Sequence, residues 1–279
     1  RTVLFTDADY ARNTAGLTFK GFFGERFGLE IGYKNELWDY EQDAESGVLF
    51  NSSRSALLDR MDHLGTIEFL VRLSEPAIGL IGYKLGISQH TSDADNVPVP
   101  VGPYIYQMAS ADFRDYLSHY AYVGIDYTFN PKLNASLRVG AQITDYVNVD
   151  DVESYSGYEA EDMTYTPYVD ARLTYNYNPG SYVMIGVIDT ISQTDLASQS
   201  EQSIAVYGNV SHRITPPWSA GLVAMFQHST FTGGYGLDGE SEIMYLAGIN
   251  SVYRFSQYLS AELGYNYDRL DSDLESREY

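Results

Sequence analysis

The chain has 279 residues, no cysteine, and 17 Lys plus Arg against 38 Asp plus Glu, a formal net charge of −21. The missing cysteine excludes disulfide staples, thiol nucleophiles and cysteine-ligated metals. The acidity argues against nucleic acid as a partner, because that binding rests on neutralising phosphates. No run approaches the ~18 consecutive apolar residues of a membrane helix, which leaves alternating strands of about ten residues as a way to cross a bilayer. Tyrosine is abundant, 26 against 12 Phe and 2 Trp, and a ring with a polar tip suits a boundary between apolar and wet regions.

In chain order, Arg1–Asp9 reads as the tail of a strand and Tyr10–Asn13 as a loop. Thr14–Phe22 alternates as a strand and turns at Gly24–Arg26. The next strand sets Phe27, Leu29, Ile31 and Tyr33 against Glu30, Gly32, Lys34 and Glu36. A polar loop covers Gln42–Ser55. Strands over Leu64–Leu73 and Ala77–His90 flank the turn Ser74-Glu75-Pro76, and Thr91–Tyr116, with three prolines, is the longest irregular segment. It reads as an external loop, with folding into the lumen as the other reading. Leu117–Phe129 leads through Asn130-Pro131-Lys132 into Leu133–Thr144. There Leu133, Ala135, Leu137, Val139, Ala141 and Ile143 oppose Asn134, Ser136, Arg138, Gly140, Gln142 and Thr144. An acidic loop, Val149–Asp162, precedes strands Met163–Tyr177 and Ser181–Asp195 around Asn178-Pro179-Gly180. Strands Ser203–Ile214 and Trp218–Phe231 flank Thr215-Pro216-Pro217, and Ser241–Phe255 and Tyr258–Asp271 flank Ser256-Gln257. Ser272–Glu278 reads as a last loop.

Two features of this order point to one architecture. Six connections are tight and rich in Pro, Gly and Asn. The others are longer, polar and variable. Such alternation between two rims is the pattern of an outer-membrane barrel. Six hairpins supply twelve complete strands, and partial segments at both ends bring the total to about fourteen. The expected fold is therefore all-β: a single transmembrane antiparallel up-and-down barrel over residues 1–279, without complete first and last strands.

The polar face is assigned to the lumen and the apolar face, with Leu137 and Val139, to lipid. Candidate pore-lining residues are Lys34, Glu68, Arg72, Lys84, Asp126, Arg138, Asp170, Arg172, Arg213 and Arg254. Basic and acidic luminal residues nearly balance, so the surplus negative charge falls in loops, at Asp93, Asp95, Asp150, Asp151, Glu153, Glu159, Glu161, Asp162, Asp238 and Glu240. A barrel of this size stands between filled and open ones. A narrow aqueous pore is one reading, and charges that pair and plug the lumen are the other. Arg138 is expected to affect permeation and not folding.

No catalytic group, cofactor or metal site is expected. Asp62–His63 and Ser118–His119 are sequence neighbours, and neighbours on a strand point to opposite faces. The five histidines are scattered, without paired metal spacing.

The runs HYAYVGIDYTFNPKLNASLRVGAQITDY, TPYVDARLTYNYNPGSYVMIGV and LSAELGYNYDRLDSDLESREY resemble the β-barrel porin type 2 family of Gram-negative bacteria, most clearly from about Tyr116 onward. The Tyr-x-Phe/Tyr-Asn-Pro turns carry the resemblance. It implies an outer-membrane barrel, in some members linked to exopolysaccharide export, with no catalytic residues to carry over. The expected activity is passive diffusion of small hydrophilic solutes or ions, with outer-membrane lipid as the surrounding partner. An export barrel, a structural protein bound to a surface layer or envelope partner, and a homo-oligomer remain open alternatives.

Overall fold

A computed structural model describes residues 9–40, 58–91, 97–102, 105–153, 158–192, 196 and 198–273. The strand tail at 1–8, the loop 42–55, Asp93, Asp95 and residues 274–279 lie outside the described residues.

Twelve strands form one antiparallel sheet: β1 (Tyr10–Phe23), β2 (Phe27–Tyr40), β3 (Arg60–Ser74), β4 (Ala77–His90), β7 (Tyr116–Asn130), β8 (Leu133–Tyr146), β9 (Met163–Asn178), β10 (Ser181–Ser192), β11 (Ser200–Thr215), β12 (Trp218–Thr232), β13 (Ser241–Arg254) and β14 (Ser260–Ser272). Neighbours in sequence are neighbours in the sheet, except where the hairpin β5 (Val97–Gly102) and β6 (Ile105–Ala109) is inserted between β4 and β7. The six tight turns are those expected, and all lie at one end. The strand over Tyr10–Phe23 starts where a loop was expected, because Tyr10 through Asn13 pair with Tyr40 through Leu37. Alternation alone could not reveal this, since Ala11, Arg12 and Asn13 carry no apolar period.

Register makes the period-two pattern continuous across strands. Phe19, Ile31, Ile67, Tyr83, Ala121, Ala141 and Pro167 form one row from β1 to β9. Its large side chains are open to the surroundings, as are Ile81, Val123, Leu137 and Val139 in neighbouring rows. The opposite face is concave. Tyr146 on β8 donates to Ser200 on β11 at 2.6 Å, across two intervening strands. Flat strands sit about 4.8 Å apart, so such a contact needs strong inward curl. β1 and β14 are the two edges and are not paired with each other.

At the end opposite the tight turns, the connections after β4, β8 and β10 pack together. The segment read as one irregular loop, Thr91–Tyr116, contains β5, β6 and a 3₁₀ turn, Ala111–Arg114. Val99, Val101, Ala109 and Phe113 from it bury against Tyr146, Val149, Val152 and Tyr158. Val149 and Val152 flank and enter a single helical turn, α1 (Asp150–Glu153), in the expected acidic loop. Burial pushes the Tyr158 phenol pKa up. Arg114 is fully buried and donates to the Leu196 and Ser198 carbonyls at 2.9 and 3.0 Å. Gln199 exchanges hydrogen bonds with the Glu161 backbone at 2.7 and 3.0 Å, and its N–H donates to Thr232 O. The connections β4–β7, β8–β9 and β10–β11 and the end of β12 are thereby tied into one cap.

Candidate functional site on the concave face

The concave wall of β3 to β9 is built on one cross-strand row: Glu68, Gly82, Tyr122, Gly140 and Tyr168. Glycine and tyrosine alternate there for a steric reason. A Cβ on Gly82 would strike the Tyr122 ring, and one on Gly140 would strike the Ala121 carbonyl and the Tyr122 backbone. The missing side chains let Tyr122 lie flat over β4 and donate to Glu68 Oε1 on β3 at 2.8 Å. The Tyr122 and Tyr168 rings meet at 5.3 Å, tilted by 52°, and are almost wholly buried.

Charges fill the rows above and below. Lys84 Nζ donates to the Tyr168 hydroxyl at 2.5 Å and lies over the Tyr122 and Tyr168 rings at 5.3 and 4.8 Å. Arg138 holds both Asp126 oxygens, at 2.6 and 3.3 Å, and its Nε lies 3.6 Å from Glu68. Asp170 is its register partner on β9. These pairings run along the wall between nearby strands, so opposite charges meet side by side rather than across an open space. Loss of Arg138 would leave buried Glu68 and half-buried Asp126 without that cation, so a cost to folding is expected beside the effect on permeation.

The remaining candidates sit elsewhere. Lys34 pairs with Glu36 at 2.5 Å in a small cavity of about 260 Å³, shared with Asp62, Tyr116 and Tyr120 and bounded on its far side by Thr190 and Ile191 of β10. The concave space is therefore narrow towards the cap. Arg72, Arg213 and Arg254 lie at the tight-turn end. Arg72 covers the Phe22 ring at 5.0 Å, Arg213 reaches Gly180, and the Arg254 N–H donates to Pro217 O. Arg172 lines a groove with Asp126, Asn134 and Ser136 and makes no ion pair among the described residues. Sequence reading missed Tyr122 and Tyr168. Their signal is the Gly–Tyr alternation, which exists only once register is known.

Asp62 and His63 do point apart. Asp62 accepts from Ser88 on the concave side at 2.7 Å, whereas His63 pairs with Tyr33 on the convex side at 2.7 Å. Ser118 bonds Thr144 inside, and His119 bonds Tyr83 outside at 2.6 Å. Tyr177 and His212 make a third such pair at 2.8 Å, nearer the tight turns.

No known family profile matches the chain, and no curated protein matches it. Among solved structures it is similar to the FrpB iron transporter from Neisseria meningitidis (F3-3 variant). The TM-score is 0.50 and the identity 9%, over 96% of this chain and 45% of that one. It is also similar to the copper transporter OprC, at TM-score 0.49 and 8% identity, over 98% of this chain and 50% of that one. The ferric yersiniabactin uptake receptor FyuA from Yersinia pestis matches at TM-score 0.47 and 10% identity, over 94% of this chain and 43% of that one. The chain thus spans about half the length of these proteins or less. The first comparison shows the fold alone: an antiparallel all-β sheet like that of the FrpB iron transporter.

Proposed function

We propose that the protein is an outer-membrane barrel of about fourteen strands through which small hydrophilic solutes or ions diffuse, of the porin type 2 kind that its second half resembles. The observation that carries this reading is the opposition of the two faces. Open apolar side chains cover the convex face on strand after strand, while charges, amides and hydroxyls line the concave face. An apolar surface of that extent marks contact with something other than water. Its borders are aromatic. Tyr165 and Tyr175 stand ten residues apart on the outward face of β9, about 25 Å for a strand tilted near 40°. That height matches the apolar band of outer-membrane barrels. Both sheet edges are paired in this reading, since unpaired strand edges do not occur within hydrocarbon.

The test is conductance of the purified full chain in planar bilayers. Discrete current steps are expected. A protein that inserts, resists protease as a folded barrel and passes no current would overturn the reading.

A further inference from the structure

The inner wall of β11 to β14 differs from the charged wall, and a groove of about 420 Å³ runs along it. That volume is within the range of small-molecule sites. Six polar side chains from four strands converge there: Asn209, Ser211, Ser219, Asn250, Glu262 and Asn266. Register places Asn209 beside Val223, Val223 beside Gly248, and Gly248 beside Asn266. The glycines form a floor. The Asn250 amide oxygen lies where a Cβ of Gly221 would be, and the Asn266 amide oxygen where one of Gly248 would be. Both amide oxygens therefore lie close over the glycines, where any side chain would displace them.

Asn250 donates to Glu262 at 2.8 Å. The side chains of Asn209, Ser211, Ser219 and Asn266 make no hydrogen bond to any described residue. Each amide both donates and accepts, as does each hydroxyl. Neighbouring strands space such groups about 4.8 Å apart. Among the described residues no Lys or Arg lines the groove, which disfavours carboxylate and phosphate ligands. Its single carboxylate already has a partner, which disfavours a cation.

We infer that this groove is a binding site for a neutral polyhydroxylated solute, a saccharide, whose closely spaced hydroxyls both donate and accept. The inference rests on the concave face being the water-filled side, and it names the class of solute held there. The experiment is a titration of the full chain in detergent micelles with maltotriose, read by isothermal calorimetry. Saturable binding is expected. Asn209→Leu and Asn266→Leu should each weaken it about tenfold, the size of one lost hydrogen bond to a solute hydroxyl at about 1.4 kcal/mol. Gly248→Ala gives a variant that keeps every polar group, and it should weaken binding too by displacing the Asn266 amide. Binding unchanged in all three variants, or absent from the folded wild type, overturns the proposal. Conductance of the same preparation separates the two claims. Current without saccharide affinity removes the groove and leaves the pore, whereas affinity without current leaves the groove and removes the pore.

Discussion

Strands β3 to β9 and strands β11 to β14 share one sheet and one alternation, yet their concave walls use different chemistry. The first wall places Glu68, Lys84, Asp126 and Arg138 among buried tyrosines, where each charge meets a partner on a nearby strand. The second places Asn209, Asn250 and Asn266 on a glycine floor, with much of its hydrogen-bonding capacity unused within the chain. A charge in a crowded wall must be paired to be tolerated, and pairing fixes its geometry. A neutral amide tolerates exposure and stays open to a solute. A charge on the concave face is therefore not by itself a charge that a solute meets.

Substitutions can break or sharpen this contrast. The largest expected effect is Arg138→Ala, which strands Glu68 and Asp126 and should cost about 3 kcal/mol. Asn250→Ala on the other wall removes one exposed bond to Glu262 and should cost about 1 kcal/mol. Urea unfolding in lipid vesicles measures both, and equal costs would erase the contrast. Next come the glycines. Gly140→Ala meets backbone atoms of β7 and should cost about 2 kcal/mol. Gly264→Ala finds its nearest neighbour, Ile249 O, at 3.6 Å and should change stability by about 0.5 kcal/mol or less.

A smaller effect separates the two arginines as permeation groups. Arg172 has no ion pair among the described residues, so Arg172→Ser should shift the reversal potential towards cation selectivity in a salt gradient. Lys substituted for Arg138 keeps a cation in the paired wall and should leave the reversal potential nearly unchanged. The smallest effect concerns the capped end of β14. The Ser241 hydroxyl and N–H both donate to Asp273, at 2.7 and 3.0 Å, and hold its carboxyl below the usual value of 3.8. A lowered carboxyl stabilises the fold above the unfolded value, and the contribution is lost as pH falls through the folded one. Hydrogen exchange at the Ser241 amide should therefore lose protection only below about pH 4, the ordinary aspartate range.

The sheet was largely legible in the sequence because its determinants are local. Alternation over Leu133–Thr144 and turns such as Asn178-Pro179-Gly180 need no knowledge of distant residues. The separation of Asp62 from His63 followed from the same period. What stayed hidden is non-local. Arg138 finds Asp126 diagonally, since its direct register partners are Gly124 and Asp170, and register cannot be read from either strand alone. The cap was hidden for the same reason. Phe113 and Arg114 look like ordinary loop residues until the connections after β8 and β10 close around them. Lys34, Lys84, Arg138 and Arg213 read alike as polar-face cations, and only the fold sorts them into paired, stacked and rim positions.

In the proposed barrel the convex face meets lipid and the concave face water. The chain has no cysteine, so single cysteines report cleanly. In lipid vesicles, Ser136→Cys on the concave face should react with a small membrane-impermeant thiol reagent, and Leu137→Cys, its neighbour on the convex face, should react only after the membrane is dissolved. Reaction at position 137 with protection at position 136 would contradict the account.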